Sequence, residues 1–217
     1  MNKSYQLILP RGLSGYNTNQ AMVILDRLVP SPSSAKVDYL LLLFGSNDAC
    51  LPDCPTKQHV PLDQYRKNMH AILNHASVKA HNPTILLVTP PPLNEVHLEA
   101  EDLKRGHSAL TRRQSYTEQY VKAVREIAEE YKDQRVVLVD LWAAMMKEGA
   151  RLTPGFVEGG GLLGSKEKGD SEGLRKLVVD GLHLTGAGYK VFLDQVLPVV
   201  GKEWAGEPMH DPSWIFP

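Results

Sequence analysis

Asp180 and His183 stand three residues apart in Asp180-Gly181-Leu182-His183-Leu184-Thr185, on what reads as a loop entering the last helix. On a turn, a carboxylate at that spacing can accept the imidazole Nδ1–H and leave Nε2 free to take a proton. That is a general base with its orienting group. The same letters also describe a surface histidine beside a helix-capping aspartate. A second group, Gly45-Ser46-Asn47-Asp48, ends the most apolar strand, and ligands of an open parallel sheet bind at the carboxyl ends of strands. By itself Asn47-Asp48 could equally make an Asx turn. A third, Arg11-Gly12-Leu13-Ser14-Gly15-Tyr16-Asn17-Thr18, has glycines that allow close backbone approach or simply a tight strand-to-helix turn.

The elements that must position these groups alternate. Short β-rich apolar runs at 37–44 (VDYLLLLF), 84–89 (TILLVT) and 135–141 (RVVLVDL), with a weaker one at 5–9 (YQLIL), read as strands. Residues 19–28, 62–76, 116–131 and 189–200 carry apolar residues at three- and four-residue spacing and read as helices. Continuous apolar strands separated by amphipathic helices predict an α/β fold with a parallel sheet covered on both faces. Two stretches break the rhythm. Residues 94–115, after Pro90-Pro91-Pro92, are polar, contain His97 and His107, and are expected to cover a rim or substrate mouth. The glycine-rich 149–173 stretch is expected to be a mobile excursion. The Trp214-Ile215-Phe216 end is expected to dock on the body.

Composition narrows the function classes. The 217 residues, 42% hydrophobic and 23% charged, fit one globular domain over 1–217 with a core that needs no disulfide or metal staple. With 24 Lys+Arg against 25 Asp+Glu the net charge is -1, so the electrostatic footprint of a nucleic-acid or anionic-membrane partner is missing. The longest purely apolar run, 39–44, is far short of a membrane span of about 20 residues. The start is too short in apolar residues for a signal peptide, so a cytoplasmic address is expected, and Asn2-Lys3-Ser4 as a glycosylation acceptor loses its meaning there. Cys50 and Cys54 lack further zinc-spaced partners and read as free thiols. No cofactor is expected. Gly159, Gly161 and Gly164 satisfy G-x-G-x-x-G without the strand and helix that a dinucleotide needs, and Gly164-Ser165-Lys166 reverses the end of a phosphate loop. Neither H-E-x-x-H nor G-x-S-x-G occurs.

Taken jointly, R-G-x-x-G-Y-x-[TS], [LF]-x-G-x-N-D-A-C and D-G-L-H-[LF]-x-x-x-G-[YN], in this order, resemble the SGNH (GDSL) hydrolase family, in its isoamyl-acetate-hydrolysing esterase branch. The resemblance covers the chain apart from its first ten residues. It implies a three-layer α/β/α domain of flavodoxin-like type with a five-stranded parallel sheet. It also implies hydrolysis of short-chain, acetate-like esters by a Ser-His-Asp mechanism. His183 becomes the base and then acid, Asp180 its orienting partner, and the Gly15 N–H and Asn47 amide the oxyanion hole. Asp48 is expected to fix its loop.

The pattern departs at the nucleophile. In the family the serine ends the first strand in G-D-S, well upstream of R-G-x-x-G, whereas ten residues precede Arg11 here. Gly169-Asp170-Ser171 spells the motif without a strand before it, and Ser14 and Ser46 adjoin the oxyanion residues with the wrong orientation. The nucleophile is therefore unknown, and the first strand, central in the family's sheet, is expected to be missing. A buried strand is worth on the order of 10 kcal/mol. Three explanations stay open: a truncated form of an active esterase, a short paralogue that slides or borrows a strand, or a catalytically dead binding protein. A module that binds an ester, acyl or carbohydrate ligand without turnover remains the alternative. So does an interaction protein whose sheet edge pairs with another chain, with a homodimer as one form.

Overall fold

A computed structural model describes residues 8–200. Most of the strand expected at 5–9, and the Trp214-Ile215-Phe216 end, lie outside those residues; Ile8 and Leu9 carry no strand. Three strands form one parallel sheet in the order β1-β2-β3: β1 (Tyr39–Leu43), β2 (Thr84–Val88) and β3 (Val136–Val139). Tyr39 lies opposite Thr84, and Ile85 opposite Val136. The sheet is thus three-stranded among the described residues, against the five expected, and β1 occupies one edge.

Eight helices accompany it among the described residues: α1 (Thr18–Leu28), α2 (Leu62–Leu73), α3 (Ala76–Lys79), α4 (Glu95–Lys104), α5 (Gln114–Glu130), α6 (Leu141–Leu152), α7 (Glu172–Leu177) and α8 (Gly186–Val196). Side chains of a strand alternate between faces. Ile85 and Leu87 join Ala21 and Leu25 of α1, Met69 and Ile72 of α2, and Val124 and Ile127 of α5 in one core. Leu86 and Val88 join Leu141 and Met145 of α6 and Leu174 and Leu177 of α7 on the other face, where Val191 and Phe192 of α8 also pack. This is the three-layer α/β/α arrangement. No helix of the described residues is long and apolar enough to cross a membrane.

Three expectations need correction. The run at 135–141 is not strand throughout: β3 ends at Val139, and Asp140 caps α6 by accepting the Ala143 N–H at 3.1 Å. An apolar run that passes straight from strand into helix hides the junction. The polar 94–115 stretch contains α4, whose buried side presents carboxylates. Glu95 Oε1 accepts the Gln114 N–H at 2.6 Å, and Asp102 Oδ2 accepts the Thr111 N–H and hydroxyl at 2.8 and 2.7 Å. The 149–173 stretch is pinned along its second half. Leu163 O accepts from Gln114 Nε2 at 2.7 Å, Gly164 O accepts the Glu95 N–H at 2.7 Å, and α7 follows. A third, small cluster matters for the site: Leu98 of α4 packs with Leu93, Leu110 and Leu182.

Candidate active site

Asp180 and His183 sit on the loop between α7 and α8. Thr185 ends that loop by capping α8, its hydroxyl accepting the Gly188 N–H at 3.1 Å. Gly181 between them has φ +82°, and a Cβ there would lie 2.5 Å from Leu98 N and 2.7 Å from Asn94 O. Only glycine fits both the dihedral and the gap. The Gly181 carbonyl accepts the Asn94 N–H at 3.0 Å, so the loop is clamped to the start of α4.

The turn wraps its own carboxylate. Asp180 Oδ1 accepts the backbone N–H groups of Leu182 and His183 at 3.1 and 2.8 Å. Oδ2 faces His183 Nδ1 at 2.8 Å and accepts from Arg105 Nη2 at 2.7 Å. Burial pushes the Asp180 carboxyl up, but the Arg105 bond, the two bonds from His183 and the nearby imidazole outweigh it and hold it well below the usual carboxylate range. An ionised acceptor at Nδ1 fixes the ring with Nδ1–H donating, so Nε2 carries the lone pair. Nε2 has no partner among the described residues, and the His183 side chain is 67% exposed.

Gly15 and Asn47 belong to a second assembly. Asp48, buried at the end of β1, accepts Thr18 N–H at 2.9 Å, the Thr18 hydroxyl at 2.5 Å and Gly45 N–H at 3.2 Å, joining the strand exit to the start of α1. Asn17 begins α1 with a reciprocal cap: its Oδ1 accepts Gln20 N–H at 3.0 Å and its own N–H reaches Gln20 Oε1 at 2.9 Å. Asn47 Nδ2 donates to Tyr16 O at 2.9 Å, while Arg112 Nη2 donates to Asn47 Oδ1 at 2.9 Å. Turning the amide over would set donor against donor, so Asn47 keeps one N–H available for a ligand. Gly15, at φ +78°, has its carbonyl held by Gln58 Nε2 at 2.8 Å, and its N–H has no partner among the described residues.

The two assemblies share the carboxyl edge of the sheet. Gly45 lies against Pro90 at the exit of β2, and Asn94, four residues on, binds Gly181. No hydrogen bond joins Gly15 or Asn47 to Asp180 or His183 among the described residues. Sequence reasoning missed Arg112, Gln58 and Arg105. Buried Arg112 also donates through Nε to Ser46 O at 2.8 Å and through Nη2 to Gln58 Oε1 at 3.0 Å. These contacts span 54 to 66 residues of chain, a distance at which spacing carries no signal.

No described serine is hydrogen-bonded to His183. Ser171 of Gly169-Asp170-Ser171 is buried and caps α7, accepting Leu174 N–H at 3.1 Å, while Asp170 binds Arg175 and Asn94. The three letters are a helix cap. Ser14 is exposed, and Ser46 lends its carbonyl to Arg112. Both cysteines are free and buried beside Thr56. Burial pushes the Cys50 thiol up to about 11, which leaves it protonated and a poor nucleophile at neutral pH.

Residues 7–196 match the family model described as GDSL-like lipase/acylhydrolase. The chain belongs to that family. A mouse relative named isoamyl acetate-hydrolyzing esterase 1 homolog is 32% identical over 209 residues, covering 95% of this chain and 74% of that protein. Its human counterpart is 29% identical, with 95% and 73% covered. An acetylxylan esterase from Geobacillus stearothermophilus shares the fold, with TM-score 0.57, 22% identity and 88% and 70% of the chains covered. The α/β hydrolase LAE5 from the metagenome of Lake Arreo, Spain, gives TM-score 0.56 at 19% identity, covering 85% and 68%. Membership in this GDSL family points to ester hydrolysis.

Proposed function

We propose that the chain acts as one carboxylic ester hydrolase domain on short-chain, acetate-like esters, with His183 as base and acid and Asp180 as its orienting partner. The Gly15 N–H and the free Asn47 Nδ2–H serve as oxyanion donors. The observation that carries this reading is the Asp180–His183 pair itself: Nδ1 anchored at 2.8 Å on a saturated carboxylate, and Nε2, on an exposed side chain, with no partner among the described residues. The relatives named for isoamyl acetate hydrolysis support the substrate class. Catalytic mutants of the Geobacillus acetylxylan esterase replace a serine, an aspartate and a histidine three residues after that aspartate, which is the spacing of Asp180 and His183.

In this scheme a serine Oγ bonds to the ester carbonyl carbon and its proton passes to His183 Nε2. The carbonyl electron pair moves to oxygen, facing the Gly15 and Asn47 donors, each worth about 10²–10³ in rate. Collapse expels the alcohol, which takes the proton back from His183, and water repeats the sequence on the acyl-enzyme. The test is the initial rate on acetate through butyrate esters for the parent, His183→Ala and Asn47→Ala. Loss of about 10³ or more in the first and about 10² in the second is expected. Equal rates in parent and His183→Ala would remove the reading. One observation favours a second reading: with no described serine on His183, the same residues would bind a short acyl ligand without turnover. A folded parent that binds acetate esters but does not release alcohol would establish it.

A further inference from the structure

Asp180 Oδ2 is shared. It lies 2.8 Å from His183 Nδ1 and 2.7 Å from Arg105 Nη2, while Oδ1 takes two backbone N–H groups. Four donors fill the lone-pair positions of one carboxylate. Arg105 comes from the C-terminal end of α4, 75 residues away in sequence, and nothing in the D-x-x-H pattern calls for it. We infer that Arg105 is a positioning residue that sets the proton affinity of His183 by sharing the carboxylate oxygen on which the imidazole depends. The inference rests on His183 being the base of the proposed hydrolase.

An aspartate–histidine pair alone goes from net -1 to net 0 when the ring takes a proton, and the full carboxylate charge stabilises the imidazolium. With Arg105 on the same oxygen, the cluster goes from 0 to +1. Protonation then adds a cation beside one already present. The imidazolium formed in turnover is then less stabilised by the shared carboxylate and gives its proton more readily to the leaving alcohol. The other charged groups at this corner are Glu101 and Asp102 of α4, which act on Arg105, and His97 of α4, which lies near Asp180, Glu101, Asp170 and Arg175. Glu101 is paired with Lys104 at 2.6 Å and Asp170 with Arg175 at 2.7 Å, so both pairs persist when Arg105 is changed. The Arg105 side chain is 46% exposed and Asp180 is 12% exposed, so the interaction is partly screened.

The experiment is an NMR titration of the His183 ring in the parent, Arg105→Gln and Arg105→Lys, with His183→Ala to assign the signals. In Arg105→Gln the midpoint is expected to rise by about 0.5–1 pH unit, and in Arg105→Lys to stay within about 0.3 of the parent. The downfield Nδ1–H resonance is expected in all three, since Asp180 still accepts it. An unchanged or lowered midpoint in Arg105→Gln, or loss of that resonance, would overturn the inference and leave Arg105 a structural tie. The titration needs no turnover, so it stands apart from the rate test of the hydrolase reading. If the midpoint rises as expected while His183→Ala retains full activity, the fault lies in the assignment of the base.

Discussion

Asp180 carries more of the proposed chemistry than its twelve-per-cent-exposed side chain suggests, because the donors that orient it also determine when it ionises. Its carboxyl sits well below the usual range, despite burial, through Arg105 and His183. A depressed carboxyl contributes stability that is present above the unfolded value near 4 and is lost as pH falls through the folded value. Asp180→Asn is therefore expected to be less stable than the parent by about 1–3 kcal/mol at pH 7. The gap should close as the solution is taken below about pH 4, read from urea midpoints at each pH. A gap that holds constant into acid would mean that the carboxylate is not the source. Arg112 makes a parallel case for Asn47. Arg112→Lys keeps the charge but loses the fork that binds Ser46 O, Asn47 Oδ1 and Gln58 Oε1 together. Turnover is expected to fall about 10- to 100-fold with the Km for a small ester little changed; a normal rate would show that Asn47 orients itself. At this scale the candidate residues Asp180, His183, Gly15 and Asn47 are legible in the sequence because they lie in short local patterns. It was silent on Arg112 and Arg105, whose roles arise only when distant segments meet.

Helix α4 is the element on which the site leans. It supplies Arg105 to Asp180, and its Leu98 underlies Leu182 while the backbone at Asn94 clasps Gly181. A methyl group at Gly181 would lie 2.5 Å from Leu98 N and 2.7 Å from Asn94 O. Gly181→Ala is expected to cost about 2–4 kcal/mol and to reduce ester turnover far more than a surface change of equal stability, since the turn that carries both Asp180 and His183 must shift. Thermal unfolding and initial rates on the same preparation check this, and a fully active Gly181→Ala would contradict the clamp. The sequence hid α4 for a physical reason. Its buried positions include Glu95 and Asp102, carboxylates that cap other segments, so the apolar period that announces α2 and α5 is broken. Likewise α6 follows β3 with only Asp140 between them, leaving no turn residues to mark the change. The strands themselves were legible because a sheet covered on both faces demands unbroken apolar runs.

For the whole molecule, the two apolar cores on opposite faces of β2 predict very different costs along the sheet. Leu87 is fully buried in the centre, whereas Leu41 on edge strand β1 is 43% exposed. Leu87→Ala is expected to cost about 3–4 kcal/mol and Leu41→Ala under about 1, by denaturant unfolding. Comparable costs would mean that another segment covers β1. The three-layer architecture followed from the alternation of strands and helices, while the number of strands did not, because the neighbours of β1 expected from the family resemblance do not appear among the described residues. The proposed hydrolase requires a base, an orienting carboxylate and two oxyanion donors to meet at one ester carbonyl. Its most direct test is the intact mass of the folded chain after exposure to a serine-directed fluorophosphonate, beside His183→Ala. A single adduct per chain, absent from His183→Ala, is the predicted result, and mapping it names the serine. A folded parent that takes up no adduct would contradict the hydrolase reading for this chain.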